Sequence, residues 1–168
     1  MFDININMDN MVISNIERQD ILYIKDWINN QNLSYLNNTK PIDFNELYER
    51  FLEYYVSENE FFLKITNDDN LIGIIKGRIE FKNLNEVWIW NFIIDEKYRG
   101  NGIGSKIIDS IKNYFLNSFG IYSFYTVACE KDIKALKFWN KNGFEISRIS
   151  KGYFNINGND FDMFILKT

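Results

Sequence analysis

The sequence predicts a mixed α/β domain: a mostly antiparallel, twisted sheet of about seven strands flanked by four helices. Three observations carry that expectation. Short runs rich in β-branched and aromatic residues are bounded by Asn, Asp and Gly turns. Four other stretches repeat apolar residues at helical spacing. Their order along the 168 residues reads β-α-α-β-β-β-α-β-α-β-β, in which consecutive strands joined by tight turns run antiparallel.

The first strand spans Met11 to Asn15. A helix follows over Glu17 to Trp27, with Ile21, Ile24 and Ile28 in phase. An Asn-rich loop, NNQNLSYLNNTKP, separates it from a second helix opened by Pro41 and Asp43. Phe44, Leu47, Phe51, Leu52 and Tyr55 form that helix's apolar stripe. Strands at 61–66, 71–81 and 86–95 are joined across NDDN and NLN. A third helix carries Ile103, Ile107, Ile108, Ile111, Phe115 and Leu116 on one face. A strand at 121–129 and a helix at 132–142 come next, the helix stopped by Asn142–Gly143. Strands at 144–154 and 161–167 close the chain across NING.

Composition removes several function classes. The chain has no histidine, so Ser-His and Cys-His nucleophile pairs and most zinc sites are excluded, and no metal is expected. The net charge of −4 offers no basic field for nucleic acid or an anionic membrane. No apolar run is long enough to span a bilayer, and MFDININMDN lacks the layout of a signal peptide. With Cys129 as its single cysteine the chain forms no internal disulfide, which fits the cytoplasm. One domain over 1–168 is expected.

The stretch YRGNGIGSKII sets three glycines in five positions between a strand and a helix. Such a loop turns free N–H groups toward an anion at the positive end of the helix dipole. A P-loop is excluded, because GSK replaces GK[ST] and the first glycine is misplaced. A Rossmann fingerprint is poorly matched, since Gly100 opens G-x-G-x-G in mid-chain. R-x-x-G-x-G, filled by Arg99, Gly102 and Gly104, remains, and taken alone it also suits a tight turn without ligand.

Together, IIDEKYRGNGIGSKII and, some thirty residues later, DIKALKFWNKNGF resemble the two signature motifs of the GNAT acyltransferases. The last hairpin, GYFNINGNDFDMFILK, the early Trp27 and the helix PIDFNELYERFLEYY are similar to the ribosomal-protein and polyamine N-acetyltransferase branches. The resemblance implies a splay after the fourth strand, with acetyl-CoA lying in it. It divides the domain into an acceptor-side half, 1–85, and a cofactor half, 86–168. It implies cofactor contacts from Phe92, Ile93 and Ile94 on the splayed strand and from Arg99, Gly100, Asn101, Gly102, Ile103, Gly104 and Ser105 in the loop. From the second motif it adds Asp132, Ala135, Phe138 and Trp139. Many members pair as homodimers.

Three departures bear on chemistry. Asp132 stands where the family has Asn, and a helix cap explains it. Trp139 replaces the tyrosine that is the family's usual acid, and indole has no proton to lend a thiolate. Tyr125, Cys129 or water are the substitutes, each of the two side chains also readable as packing. No carboxylate lies between Glu86 and Asp95, which leaves Glu80 and Glu86 as candidate bases. A protein α-amine, with a pKa near ~7.7 to 8.0, needs less help from a base than an alkylammonium near ~10.4. Against that, Glu46, Glu49 and Glu53 share a helical face that suits a polyamine or a solvated surface. The expected activity is acetyl transfer from acetyl-CoA to a primary amine by direct attack. The alternative is an acyl-CoA-binding sensor or interaction module that has lost its chemistry.

Overall fold

Apolar alternation builds one eight-stranded sheet in the computed structural model, which describes residues 2–31, 41–156 and 158–168. The Asn-rich loop at 32–40 and residue 157 of the NING turn lie outside the described residues. The strands are β1 (Asn5–Met8), β2 (Met11–Asn15), β3 (Glu60–Asn67), β4 (Asn70–Glu80), β5 (Glu86–Ile94), β6 (Ser123–Cys129), β7 (Glu145–Ile156) and β8 (Asn159–Lys167). Their order across the sheet is β1-β2-β3-β4-β5-β6-β8-β7. Every neighbouring pair is antiparallel except β5 and β6.

The sheet agrees with the expected architecture of about seven strands and adds one at its edge. Asn5 to Met8 alternates Asn with Ile and Met, and Asn is poor in strands, so the pattern hides it. It pairs with β2 across a turn in which Asp9 takes a positive φ of 47°.

Alternation along the strands divides the interior in two. Phe61, Leu63 and Ile65 on β3 and Ile75 and Ile79 on β4 face α3 (Ile103–Phe119) and α4 (Ile133–Lys141). Phe62 and Ile74 face the other way, toward α1 (Ile21–Asn29) and α2 (Phe44–Val56). The first helix begins later than expected, because Arg18 to Asp20 form a 3-10 turn locked by reciprocal bonds between Glu17 and Asp20. Asp43 caps α2 by accepting from the Glu46 N–H at 2.9 Å. The stripe of α2 also differs from expectation: Leu47, Phe51 and Tyr54 are buried, while Phe44, Leu52 and Tyr55 are exposed.

Candidate active site: a fork between two parallel strands

Strands β5 and β6 run side by side only briefly. Their rungs pair Glu86 with Ser123 and end with Ile89 opposite Thr126. Beyond that rung β5 continues to Ile94, and β6 leans on β8 through to Cys129 opposite Met163. The edge of β5 that faces β6 is therefore unpaired from residue 90 onward. A bulge helps to open it: Gly77 faces Ile89 and Lys76 faces Asn91, so Trp90 is an extra residue. Gly77 is required at this bulge. A Cβ there would lie 2.1 Å from the Trp88 carbonyl oxygen and 2.5 Å from the Phe61 ring.

The loop after β5 is held by its own side chains. Asp95 accepts from the Lys97 N–H at 3.0 Å, and Arg99 Nε donates to the Ile94 carbonyl at 2.7 Å. The Arg99 guanidinium thus anchors the loop to the strand end while the residue stays exposed. Gly100 and Gly102 take φ of 83° and 79°, and no atom lies within 4 Å of where either Cβ would stand. Gly102 is the residue before α3, and the first helical bond in it runs from the Lys106 N–H to the Gly102 carbonyl. The amides of Ile103, Gly104 and Ser105 are the donors that a helix N-terminus leaves without intrahelical partners. Gly104 sits in that first turn against the Phe138 ring.

Helix α4 flanks the fork. Asp132 accepts from the Ala135 N–H at 2.9 Å, the geometry of a helix cap. Phe92 packs on Phe138 and Trp139, with ring centroids 5.7 and 6.1 Å apart. Trp139 also packs on Phe144 at 4.9 Å and is only 6% exposed, so its indole belongs to the core. Ala135 and Phe138 are half-buried.

On the opposite face, just below the last shared rung, four strands place one residue each in a row. Arg78 faces Trp88, Trp88 faces Tyr125, and Tyr125 faces Lys167. Trp88 and Tyr125 stack at 4.6 Å with planes 11° apart. Lys167 lies 5.1 Å above Tyr125, and Arg78 lies 5.0 Å over Trp90. Two rungs away, on the same face, Glu80 faces Glu86, and Lys82 bridges them at 2.6 and 3.0 Å. Arg78 also pairs with Glu80. The structure therefore brings Glu80, Glu86 and Tyr125 together, and it adds Lys82, Arg78 and Lys167, which the sequence reading passed over. The alternation of Lys76, Arg78 and Glu80 along β4 was the available signal for Arg78.

These ion pairs change what the two glutamates can do. The hydrogen bond from Lys82 holds the Glu80 carboxyl below its ordinary value, with Arg78 adding to it. Burial pulls the Glu86 carboxyl upward, but Lys82 and the Tyr125 hydroxyl outweigh it and leave it lowered. Both candidate bases are thus paired carboxylates of reduced basicity. Because their folded pKa values are depressed from 4.5, they add stability above that pH and lose it as the pH falls. Lys82→Met leaves two like charges on one rung. Denaturant unfolding should then show the variant less stable than the wild type at pH 7, with the difference shrinking as the pH falls and the two carboxylates protonate. A difference that does not change with pH would show that Lys82 does not hold the pair.

The profile of the "Acetyltransferase (GNAT) domain" family matches residues 13–165. The chain belongs to the GNAT acetyltransferases. A spermine/spermidine N(1)-acetyltransferase of Bacillus subtilis (strain 168) is 25% identical over 88 residues, 52% of this chain; the match spans about half, 55%, of that relative's length. Among solved structures, this GNAT chain superposes on the Salmonella typhimurium acetyl transferase that modifies the N-terminal serine of the 50S ribosomal subunit protein L7/L12. The TM-score is 0.83 at 14% identity, covering 96% of this chain and 95% of the other. The spermidine N-acetyltransferase of Vibrio cholerae, solved with CoA and spermine, gives a TM-score of 0.80 at 21% identity, covering 96% of each chain. Both branches named from the sequence motifs are thus represented among the neighbours, and the GNAT fold with its mostly antiparallel sheet agrees with the expectation. Among the described residues no helix is long and apolar enough to cross a membrane, and no cluster of three or more metal-ligating side chains forms.

Proposed function

We propose that the protein transfers the acetyl group of acetyl-CoA to a primary amine, and that the fork between β5 and β6 is where the thioester lies. The observation that carries this reading is the unpaired edge of β5 beyond Ile89, continuous with the glycine loop and the start of α3. Its fit to the co-substrate is chemical. Backbone donors and acceptors on the open edge of residues 90–94, the Ile94 carbonyl apart, suit the amides of a pantetheine arm. The amides at 103–105 and the open sides of Gly100 and Gly102 suit a pyrophosphate. Arg99, Asn101, Ile103, Gly104 and Ser105 are assigned to the same contact, and Ile93, Ile94, Ala135 and Phe138 to the walls of the fork. Asp132 and Trp139 serve it indirectly, one as a cap and the other as packing behind Phe92.

The bound thioester supplies an activated acyl group. The chain's part is to hold it and the amine in attack geometry, which provides much of the acceleration. In this reading a backbone N–H of the open strand polarises the thioester carbonyl. With Glu80 and Glu86 ion-paired and Trp139 unable to donate a proton, Tyr125 is the proposed acid and water the proposed relay to the carboxylates. Weak bases suit an acceptor that sheds its proton near neutral pH, and a protein N-terminal α-amine meets that requirement better than a polyamine. We assign the whole chain to one domain with its acceptor half at 1–85 and its cofactor half at 86–168. We place the protein in the cytoplasm, where Cys129 stays a thiol. Nucleic acid is not a proposed partner.

The test is calorimetric titration of the wild type with acetyl-CoA. Binding with a stoichiometry of one per chain is the expected result. Absence of binding would remove both the enzyme reading and the alternative of a catalytically silent acyl-CoA sensor.

A further inference from the structure

Helices α1 and α2 cover only part of their face of the sheet. Their core takes Phe62 from β3, Leu71 and Ile74 from β4 and Ile93 from β5, and among the described residues nothing from β6, β7 or β8. Phe124 and Ala128 of β6 belong to the α3/α4 core, so Tyr125 and Val127 point to the uncovered side. Partners in register share a face. Val127 pairs with Ile165 of β8, which pairs with Arg148 of β7, and the next row outward holds Cys129, Met163 and Ser150. Val127, Met163 and Ile165 are half-buried yet join neither core. They form an apolar floor that begins at the fork, directly beyond the last rung shared by β5 and β6.

Positive charge borders this floor. Lys131 lies 5.0 Å over Phe161, Arg148 ends the row from Val127, and Lys167 follows Tyr125. All three are exposed, and among the described residues none of them forms an ion pair. One carboxylate, Glu145, faces Lys167 in register. Glu80 and Glu86 are already taken up by Lys82 and Arg78. A chain of net charge −4 thus keeps an unneutralised cationic rim beside the fork.

We infer that the acceptor is the free N-terminus of a peptide with an apolar first residue and acidic residues behind it, and that Val127, Ile165 and Arg148 read this pattern. The inference rests on the transferase reading and narrows its acceptor. Neighbouring strands lie about 4.8 Å apart, so Arg148 stands about 10 Å beyond Val127. An extended peptide advances about 3.3 Å per residue. With its amine at the fork, its first side chain meets Val127 and Ile165, and its third or fourth residue reaches Arg148. A carboxylate there meets Arg148 or the adjoining Lys167, whereas a lysine meets like charge. A polyamine offers neither an apolar side chain nor an anion, and the same rim repels it.

Thiol release with two peptides tests this. Each has a free N-terminus and leucine first, and carries either glutamate or lysine at the next three positions. The wild type should favour the glutamate peptide at least about fivefold in kcat/KM at low salt. Salt at about 0.5 M should remove most of that preference. Arg148→Glu, on the exposed edge strand, should bring the two values together or invert their order, and the ratio is insensitive to a general loss of activity. The glutamate peptide should in turn be slower with serine first than with leucine. Equal or faster turnover of the lysine peptide by the wild type would overturn the inference, as would a preference that neither Arg148→Glu nor salt reduces. A first residue without effect contradicts the seat on Val127 and Ile165. Turnover of spermidine but of neither peptide overturns the inference and leaves the transferase reading standing. No turnover with any amine removes that reading and the inference with it. Should Arg148→Glu fail to fold, the salt dependence of the wild-type ratio decides.

Discussion

Gly102→Glu should bind acetyl-CoA at least about 100-fold more weakly than the wild type, a loss of about 2.7 kcal/mol. Gly102 precedes α3 at φ 79°, and the space on its side-chain face is open. A carboxylate there would occupy the volume and reverse the charge that a pyrophosphate requires at a helix N-terminus. The positive φ also costs any L side chain roughly 1–2 kcal/mol. Gly102→Ala carries that strain without the charge and provides the comparison. The two variants should lose similar amounts of Tm, about 2–4 °C per kcal/mol for a chain of this size. Only the glutamate should lose most of the affinity. Equal affinities for the two variants would mean that no anion sits at this loop.

Gly77→Ala should be among the most destabilising single-methyl additions. The new Cβ would meet the Trp88 carbonyl at 2.1 Å, and backbone of a central strand cannot swing aside as a flexible side chain does. Strands β4 and β5 must part, and the Phe61 ring, fully buried in the core, must move with them. A loss of about 3 kcal/mol or more is expected, read as a Tm lower by roughly 6–12 °C. The bulge at Trp90 depends on the same close approach, so the folded fraction should also bind acetyl-CoA more weakly. A Tm within two or so degrees of the wild type would show that the strands tolerate separation, and the fork would lose its structural cause.

Periodicity carried most of the fold, and it failed where side-chain pattern and backbone pairing part company. The helix at 103–119 was legible because four of its apolar residues, Ile107, Ile108, Ile111 and Phe115, are all fully buried. Strand β1 was not, since its two asparagines sit at the sheet edge, where polarity costs little. On α2 two tyrosines stand side by side, so hydrophobicity alone could not tell buried Tyr54 from exposed Tyr55.

The glycine loop was readable at residue level because positive φ restricts the choice of side chain. The row Arg78, Trp88, Tyr125 and Lys167 was not, because it is assembled from four strands whose register no local pattern specifies. Asp132 and Trp139 were legible as departures from a motif. Their roles, cap and core packing, needed the geometry.

Thiol release from acetyl-CoA, followed against a panel of amines, tests the central claim most directly. The panel should hold peptides with free N-termini, spermidine and an amino sugar. The account predicts turnover that depends on both the wild-type protein and an amine, fastest with a peptide α-amine and lost in Gly102→Glu. Acetyl-CoA binding without turnover on any primary amine would contradict the transferase reading and leave a binding module in its place.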